Sequence, residues 1–237
     1  MGVLIAAAVV PAVILLVRIY RLDRLEPEPG GLLLGLVLLG VVSTLLASLS
    51  EQLGDFVLAY FVPEQSRLYP ILLYFGVVAF SEEGFKYLLL KRQTWQSPHF
   101  NCLFDGVVYA TFVSLGFALW ENIGYVLRFG LATAVARAIT AVPGHACFGV
   151  FMGVWYGVAK RKELAGELSA ARWSRFFAVL VPALLHGLYD YIATQQTEEL
   201  TGAFLGFVAL LFLVAYVLAV RTARQDRYMD TTREPRF

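Results

Sequence analysis

The sequence predicts an all-α membrane protein, a polytopic bundle of about seven transmembrane helices with its N-terminus outside and its C-terminus in the cytoplasm. Three observations predict it. First, 59% of the 237 residues are hydrophobic and 16% charged, with a mean hydropathy of +0.67; a soluble domain has about 45–50% apolar and about 25% charged residues. Second, seven stretches are long and apolar enough to cross a hydrocarbon core, which takes about 20 residues. Third, the basic residues fall almost entirely on one side of those stretches.

Residues 2–20 carry no basic residue ahead of the apolar run, and Arg18, Arg21 and Arg24 follow it. That order suits an uncleaved first helix rather than a signal peptide. The second span is 31–50; residues 51–62, with Glu51 and Asp55, either extend it or lie at the interface. Spans at 68–91, 105–129, 130–159, 173–194 and 199–220 follow. The fifth is long, and Pro143-Gly144 is expected to kink it. Short connections imply one transmembrane domain over 1–220, a core at 68–194 and a polar cytoplasmic tail at 221–237. With the N-terminus outside, fifteen Lys and Arg face the cytoplasm, while the outer loops hold only Arg67 and Arg128.

Composition excludes other classes. Cys102 and Cys147 have no partner spacing for a disulfide framework or a zinc knuckle. There is no Gly-rich phosphate loop, internal repeat or basic, aromatic-interleaved stretch for nucleic acid. Trp95, Trp120, Trp155 and Trp173 read as packing or interfacial anchors, and His99 lies in a polar loop.

Four spans break the apolar rule. The third carries Glu82, Glu83 and Lys86; the fourth Asp105, Tyr109, Phe117, Glu121 and Asn122; the fifth Arg137 and His145; the sixth His186 and Asp190. A charge at the bilayer centre costs at least about 2.5–3.5 kcal/mol, so such residues mark a protein-lined or wet interior. Lys86 is one helical turn from both carboxylates and reads as their neutralising partner. Asp105, at a helix start, fits an N-cap as well as a supporting site residue. Glu121 has no basic neighbour on its own helix and needs a partner elsewhere; Arg137 is a candidate ion-pair partner. His145 shares a stripe with Ala141, Gly149, Gly153 and Gly157, so it faces another helix and not lipid. His186 and Asp190 are one turn apart. At about 1.5 Å per residue, Glu121 and His186 lie about 12 Å below the outer helix ends, and Glu82 and His145 about 21 Å. Glu51, Asp55, Glu64, Glu198 and Glu199 form an expected acidic outer rim.

Adjacent carboxylates in a low dielectric do not ionise alike, so the pair can hold a base and an acid at one pH. A carboxylate can activate water, a neutral histidine N–H can donate to an oxyanion, and Asp190 can orient His186. No GxSxG or HExxH motif is present. The alternative class is a proton-coupled transporter using the same groups as a relay, although no inverted repeat is visible.

Glu82-Glu83-x-x-Lys86, Phe117-x-x-x-Glu121-Asn122, His145-x-x-x-Gly149 and His186-x-x-x-Asp190 resemble, in order, the motifs of the PrsW intramembrane proteases. Phe104 to Tyr109 adds to the resemblance, which covers about residues 70–195. The related CAAX-prenyl-processing proteases usually end the second motif in histidine, whereas Glu121 stands here. The resemblance implies site-1 cleavage of a single-pass membrane substrate such as an anti-sigma factor, in a bacterial-type plasma membrane. It implies Glu82 or Glu121 as the water-activating base with Glu83 helping, His186 at the oxyanion, Asp190 behind it and His145 as a polar wall. Lys86, Asn122, Phe117, Asp105 and Arg137 support them. No cofactor is expected; zinc on His145, His186 and Asp190 or another carboxylate is the alternative.

Overall fold

The computed structural model describes residues 1–194 and 198–229, without the side chains of residues 198–200. The helices are α1 (Gly2–Tyr20), α2 (Gly30–Phe61), α3 (Leu68–Ile71), α4 (Phe80–Thr94), α5 (Asp105–Phe129), α6 (Leu131–Ile139), α7 (Ala141–Leu164), α8 (Leu168–Ala193) and α9 (Glu198–Arg224), with a π-helical stretch at Leu72–Ala79. They form an all-α bundle with seven membrane-spanning segments, the third being Leu68–Thr94 and the fifth Leu131–Leu164. Residues 230–237 of the expected tail and the Glu198 and Glu199 side chains of the expected rim lie outside the described residues.

Three details refine the expected elements. Residues 51–61 continue α2 as helix. The third span runs through eight residues of π-helix before Glu82; such widened turns recur at functional sites because they re-phase the side chains beyond them. The fifth span breaks at Thr140 (φ −122°, ψ −71°) and not at Pro143-Gly144. Pro143 lacks an N–H and its ring would clash with the carbonyl of Ile139, so a continuous helix is disfavoured here. Starting a new helix at Ala141 places Pro143 in a first turn, where the N–H is spare anyway.

α5 is the centre of the bundle. Every residue from Asp105 to Ala118 is buried, with α7, α2 and α1 packed around it. Many large apolar side chains, among them Leu34, Leu49, Phe56 and Leu210, point outward. Lipid tails are as apolar as leucine, so helix association in a membrane depends on close packing of small residues. The stripe below His145 supplies it. A Cβ on Gly106 of α5 would lie 2.7 Å from the Gly153 carbonyl and the Gly157 amide of α7. These contacts are backbone and cannot rotate away.

Gly106→Val is therefore expected to destabilise the bundle by at least ~2 kcal/mol, the range for overpacking a tight contact. Thermal unfolding of the purified protein in detergent checks this; an unchanged midpoint would contradict the α5–α7 packing.

Candidate active site

The centre of the site is an ammonium group. Lys86 Nζ, fully buried, donates to Glu83 Oε1 at 2.8 Å and to Glu82 Oε2 at 3.1 Å. It also lies 3.2 Å from His145 Nδ1 and 3.9 Å from the centroid of the Phe117 ring. The two carboxylates are neighbours on α4, so one turn of helix brings both within reach of Lys86.

This hub dictates a tautomer. An ammonium has no lone pair, so His145 Nδ1 must accept and the ring proton sits on Nε2. Nε2 then donates to Glu121 Oε2 at 3.0 Å. The same oxygen accepts from Arg137 Nη2 at 2.6 Å. Glu121 thus finds its partners on α6 and α7. Arg137 is itself aligned by its Nε–H to Asn122 Oδ1 (3.0 Å) and by the Tyr125 ring (4.1 Å). Asn122 in turn donates to the Ala8 carbonyl of α1 at 2.8 Å.

His186 bonds through Nδ1 to Glu83 Oε1 at 3.0 Å, and its Nε2 lies 3.5 Å from Asp190 Oδ2. Its tighter partner is therefore Glu83, not Asp190 as the one-turn spacing suggests. Since Glu83 accepts, Nδ1 carries the proton. A neutral His186 would then present a lone pair at Nε2, not the N–H expected from sequence. Only the imidazolium offers Nε2–H to the cavity, with Glu83 and Asp190 as counter-ions.

A cavity of about 330 Å³ opens beside these groups, lined by Glu51, Glu82, Glu121, His145, His186 and Asp190 among others. Glu83 and Lys86 are sealed off, with no exposed side-chain surface. A cleft of about 700 Å³, between Thr44 and Ser48 of α2 and Trp120 and Gly124 of α5, shares Glu121 and Tyr125 with this cavity as lining residues.

Ten sequence candidates gather here: Glu82, Glu83, Lys86, Phe117, Glu121, Asn122, Arg137, His145, His186 and Asp190. The expected difference in depth between His145 and Glu121 does not hold: the chain breaks at Thr140, and His145 Nε2 lies 3.0 Å from Glu121 Oε2. Asp105 is not brought in. It lies at the opposite end of α5, sixteen residues from Glu121, and Oδ2 accepts the Asn101 and Cys102 amides at 2.9 and 2.6 Å. It is the first helical residue, not an N-cap to its own helix. Glu51, expected on the outer rim, instead joins the cavity wall with Oε1 buried and unpartnered. Reading 51–61 as helix would have revealed it, since a carboxylate inside a span is itself the signal.

The chain matches a family model described as "PrsW family intramembrane metalloprotease" over residues 28–220. It is 34% identical over 224 residues to a protein of Geobacillus kaustophilus named "Protease PrsW", covering 94% of this chain and 92% of that protein. Proteins of the same name from Halalkalibacterium halodurans and Bacillus subtilis are 33% and 32% identical; these matches cover 94% and 84% of this chain, and 97% and 86% of the relatives. No solved structure matches significantly.

The family description raises the question of a metal. Glu82, Glu83, His145 and His186 can each bring one ligand atom within 4.8 Å of the others. Asp190 is not in that set. As arranged, the set does not fit a zinc ion. Lys86 already hydrogen-bonds Glu82 Oε2, Glu83 Oε1 and His145 Nδ1, and the remaining nitrogen of His145 donates to Glu121. A dication there would stand against a buried ammonium.

Lys86→Met is expected to cost about 3–5 kcal/mol, because it leaves two buried carboxylates without their cation. Unfolding in detergent measures it. Adding Glu83→Gln should recover part of the loss; the same midpoint in wild type and Lys86→Met would refute the hub.

Proposed function

Because this chain belongs to the PrsW family of intramembrane proteases, and is thus an integral bacterial plasma-membrane protease, we propose that Glu82 is the base that activates water for peptide hydrolysis. The observation that carries this reading is the division of labour in the Glu82-Glu83 pair. Both bond Lys86, yet only Glu82 opens on the cavity; Glu83 is sealed and spends Oε1 on Lys86 and His186. Glu83 is therefore a positioning residue.

His186 lies 3.8 Å from Glu82 through Nδ1 and turns Nε2 toward the cavity wall beside Asp190. A water held by Glu82 attacks the scissile carbonyl, and its proton passes to the Glu82 carboxylate. The His186 imidazolium, held by its Nδ1–H bond to Glu83, donates Nε2–H to the developing oxyanion, with Asp190 beside it as a second counter-ion. The protonated Glu82 then delivers its proton to the departing amine. Glu121, locked by Arg137 and His145, serves as a fixed negative wall that positions the substrate. His145, with both nitrogens occupied, supports Glu121. No step requires a metal.

The substrate we propose is a single-pass membrane protein such as an anti-sigma factor. The α2–α5 cleft shares Glu121 and Tyr125 with the cavity, which supports a lateral approach of a peptide segment from the bilayer. Positive-inside counting puts the N-terminus outside, which places the cluster in the outer half of the membrane, where a first cleavage belongs. There, Glu121 and His186 lie eight and seven residues from the ends of their helices.

Co-expression with tagged single-pass candidates tests this. Glu82→Gln should abolish the fragment, a loss of at least about 10²–10⁴ in rate, while Glu121→Gln should weaken cleavage less. His186→Ala should abolish it. Full activity in Glu82→Gln would sink the proposal. Purified enzyme should also keep its activity in chelator, and a stoichiometric zinc that restores lost activity would overturn the metal-free mechanism.

A further inference from the structure

A second group of buried acids lies at the other end of the bundle, around Asp105. We propose that Asp23, Glu28 and Asp105 bind a hard divalent cation, Mg²⁺ or Ca²⁺, that ties the α1–α2 loop to the start of α5. One carboxylate oxygen from each of the three lies within 4.8 Å of the others. Asp23 and Glu28 are each only 5% exposed. Neither oxygen of Asp23 has a well-formed hydrogen bond, the Glu28 amide being the one donor that acts on it, and Glu28 Oε2 has none. Asn101 Oδ1 and Asp226 Oδ2 beside them are also buried and unpartnered. These five atoms are half of the ten such atoms among the described residues, so the deficit of donors is concentrated here.

Charge makes the same point. Among the described residues, the charged groups acting on Asp23 are Asp226 and Glu26, and those acting on Glu28 are Asp23 and Glu26; all are acids. Arg21, Arg24 and Arg227, near in sequence, are not among the groups that act on them. Burial first, and these acidic neighbours second, push Asp23 and Glu28 up to about 7. Buried carboxylates without donors are costly, and a cation satisfies three at once. An all-oxygen, all-carboxylate set selects a hard ion over zinc or copper.

The surroundings show what the ion would hold together. The Tyr109 hydroxyl of α5 donates to Glu28 Oε1 at 2.6 Å. Asn101 Nδ2 donates to Glu26 at 3.0 Å. The chain after α9 returns here, where Asp226 Oδ1 accepts the Phe104 amide at 2.9 Å and the Met229 amide donates to the Asn101 carbonyl at 2.7 Å. Three separate segments thus converge on Asp105. The site is distinct from the proteolytic cluster, since sixteen residues of α5 separate Asp105 from Glu121, about 24 Å.

The test uses the full-length protein, stripped with EDTA in detergent at pH 8. Mg²⁺, Ca²⁺ and Zn²⁺ are titrated separately, followed by thermal unfolding and by calorimetry. Mg²⁺ or Ca²⁺ should bind saturably at one per chain and raise Tm by about 5 °C or more at saturation. Asp23→Asn and Glu28→Gln should each abolish that binding, whereas Glu82→Gln, at the other end, should keep it. An apo Asp23→Asn protein as stable as the cation-loaded wild type, and unresponsive to cation, supports the site, because the substitution removes the repulsion that the ion offsets. Absence of saturable binding in wild type overturns the proposal. So does binding that survives both substitutions, or stabilisation by acidification to pH 5.5 with no response to any cation at pH 8. If Asp23→Asn does not fold, the wild-type stoichiometry and Glu28→Gln decide.

Discussion

The geometry of the active site depends on a lysine ammonium buried in the membrane-spanning part of the bundle. Lys86 has no exposed side-chain surface and bonds two carboxylates that are also largely withdrawn from solvent. A charge so placed is tolerable only with close partners. Each of its contacts sets something further out. The bond to His145 Nδ1 fixes that ring's tautomer, which turns Nε2–H toward Glu121. The bond to Glu83 leaves the same oxygen to orient His186. One cation therefore organises groups from α4, α5, α7 and α8.

The scaffold is built to let those helices approach. Glycines on α7 admit the backbone of α5, and Gly187 of α8 lies against Phe75 of the π-helical stretch. That stretch immediately precedes the helix of Glu82 and Glu83. The break at Thr140 separates Arg137 from His145, so that both can converge on one oxygen of Glu121. A straight helix would place residues eight apart more than two turns from each other.

The two ends of α5 carry opposite solutions to the same problem. At Glu121, buried negative charge is met by Arg137 and His145 from neighbouring helices. At Asp105, acids gather without a basic partner among the described residues, and backbone amides satisfy only one oxygen. The first arrangement leaves a cavity for chemistry. The second leaves donors missing, which is why an ion suits it.

Seven spans were legible in the sequence, because hydrophobic length and the absence of charge are local properties that the bilayer reads segment by segment. Most of the site was legible for the converse reason: an acid or histidine inside a span needs a partner in lipid, and four ordered motifs carried nine of the ten gathered residues, Arg137 being read only as an ion-pair partner. Boundary-dependent features were not. With residues 51–62 open to either a helical or an interfacial reading, Glu51 reads as part of an outer rim; Pro143 attracts the expected kink; and Asp105 shares a span with Glu121 although sharing a helix says nothing about distance along it. Asp23, Glu26, Glu28 and Asp226 lie in loops, where charge is ordinary, so only the packing of three chain segments reveals that they are buried together. The sequence by itself determined which groups are costly to bury and on which helices they sit. Only the tertiary structure decided which of them share a proton, a lysine or a cavity, because those pairings depend on distances between helices that no single helix encodes.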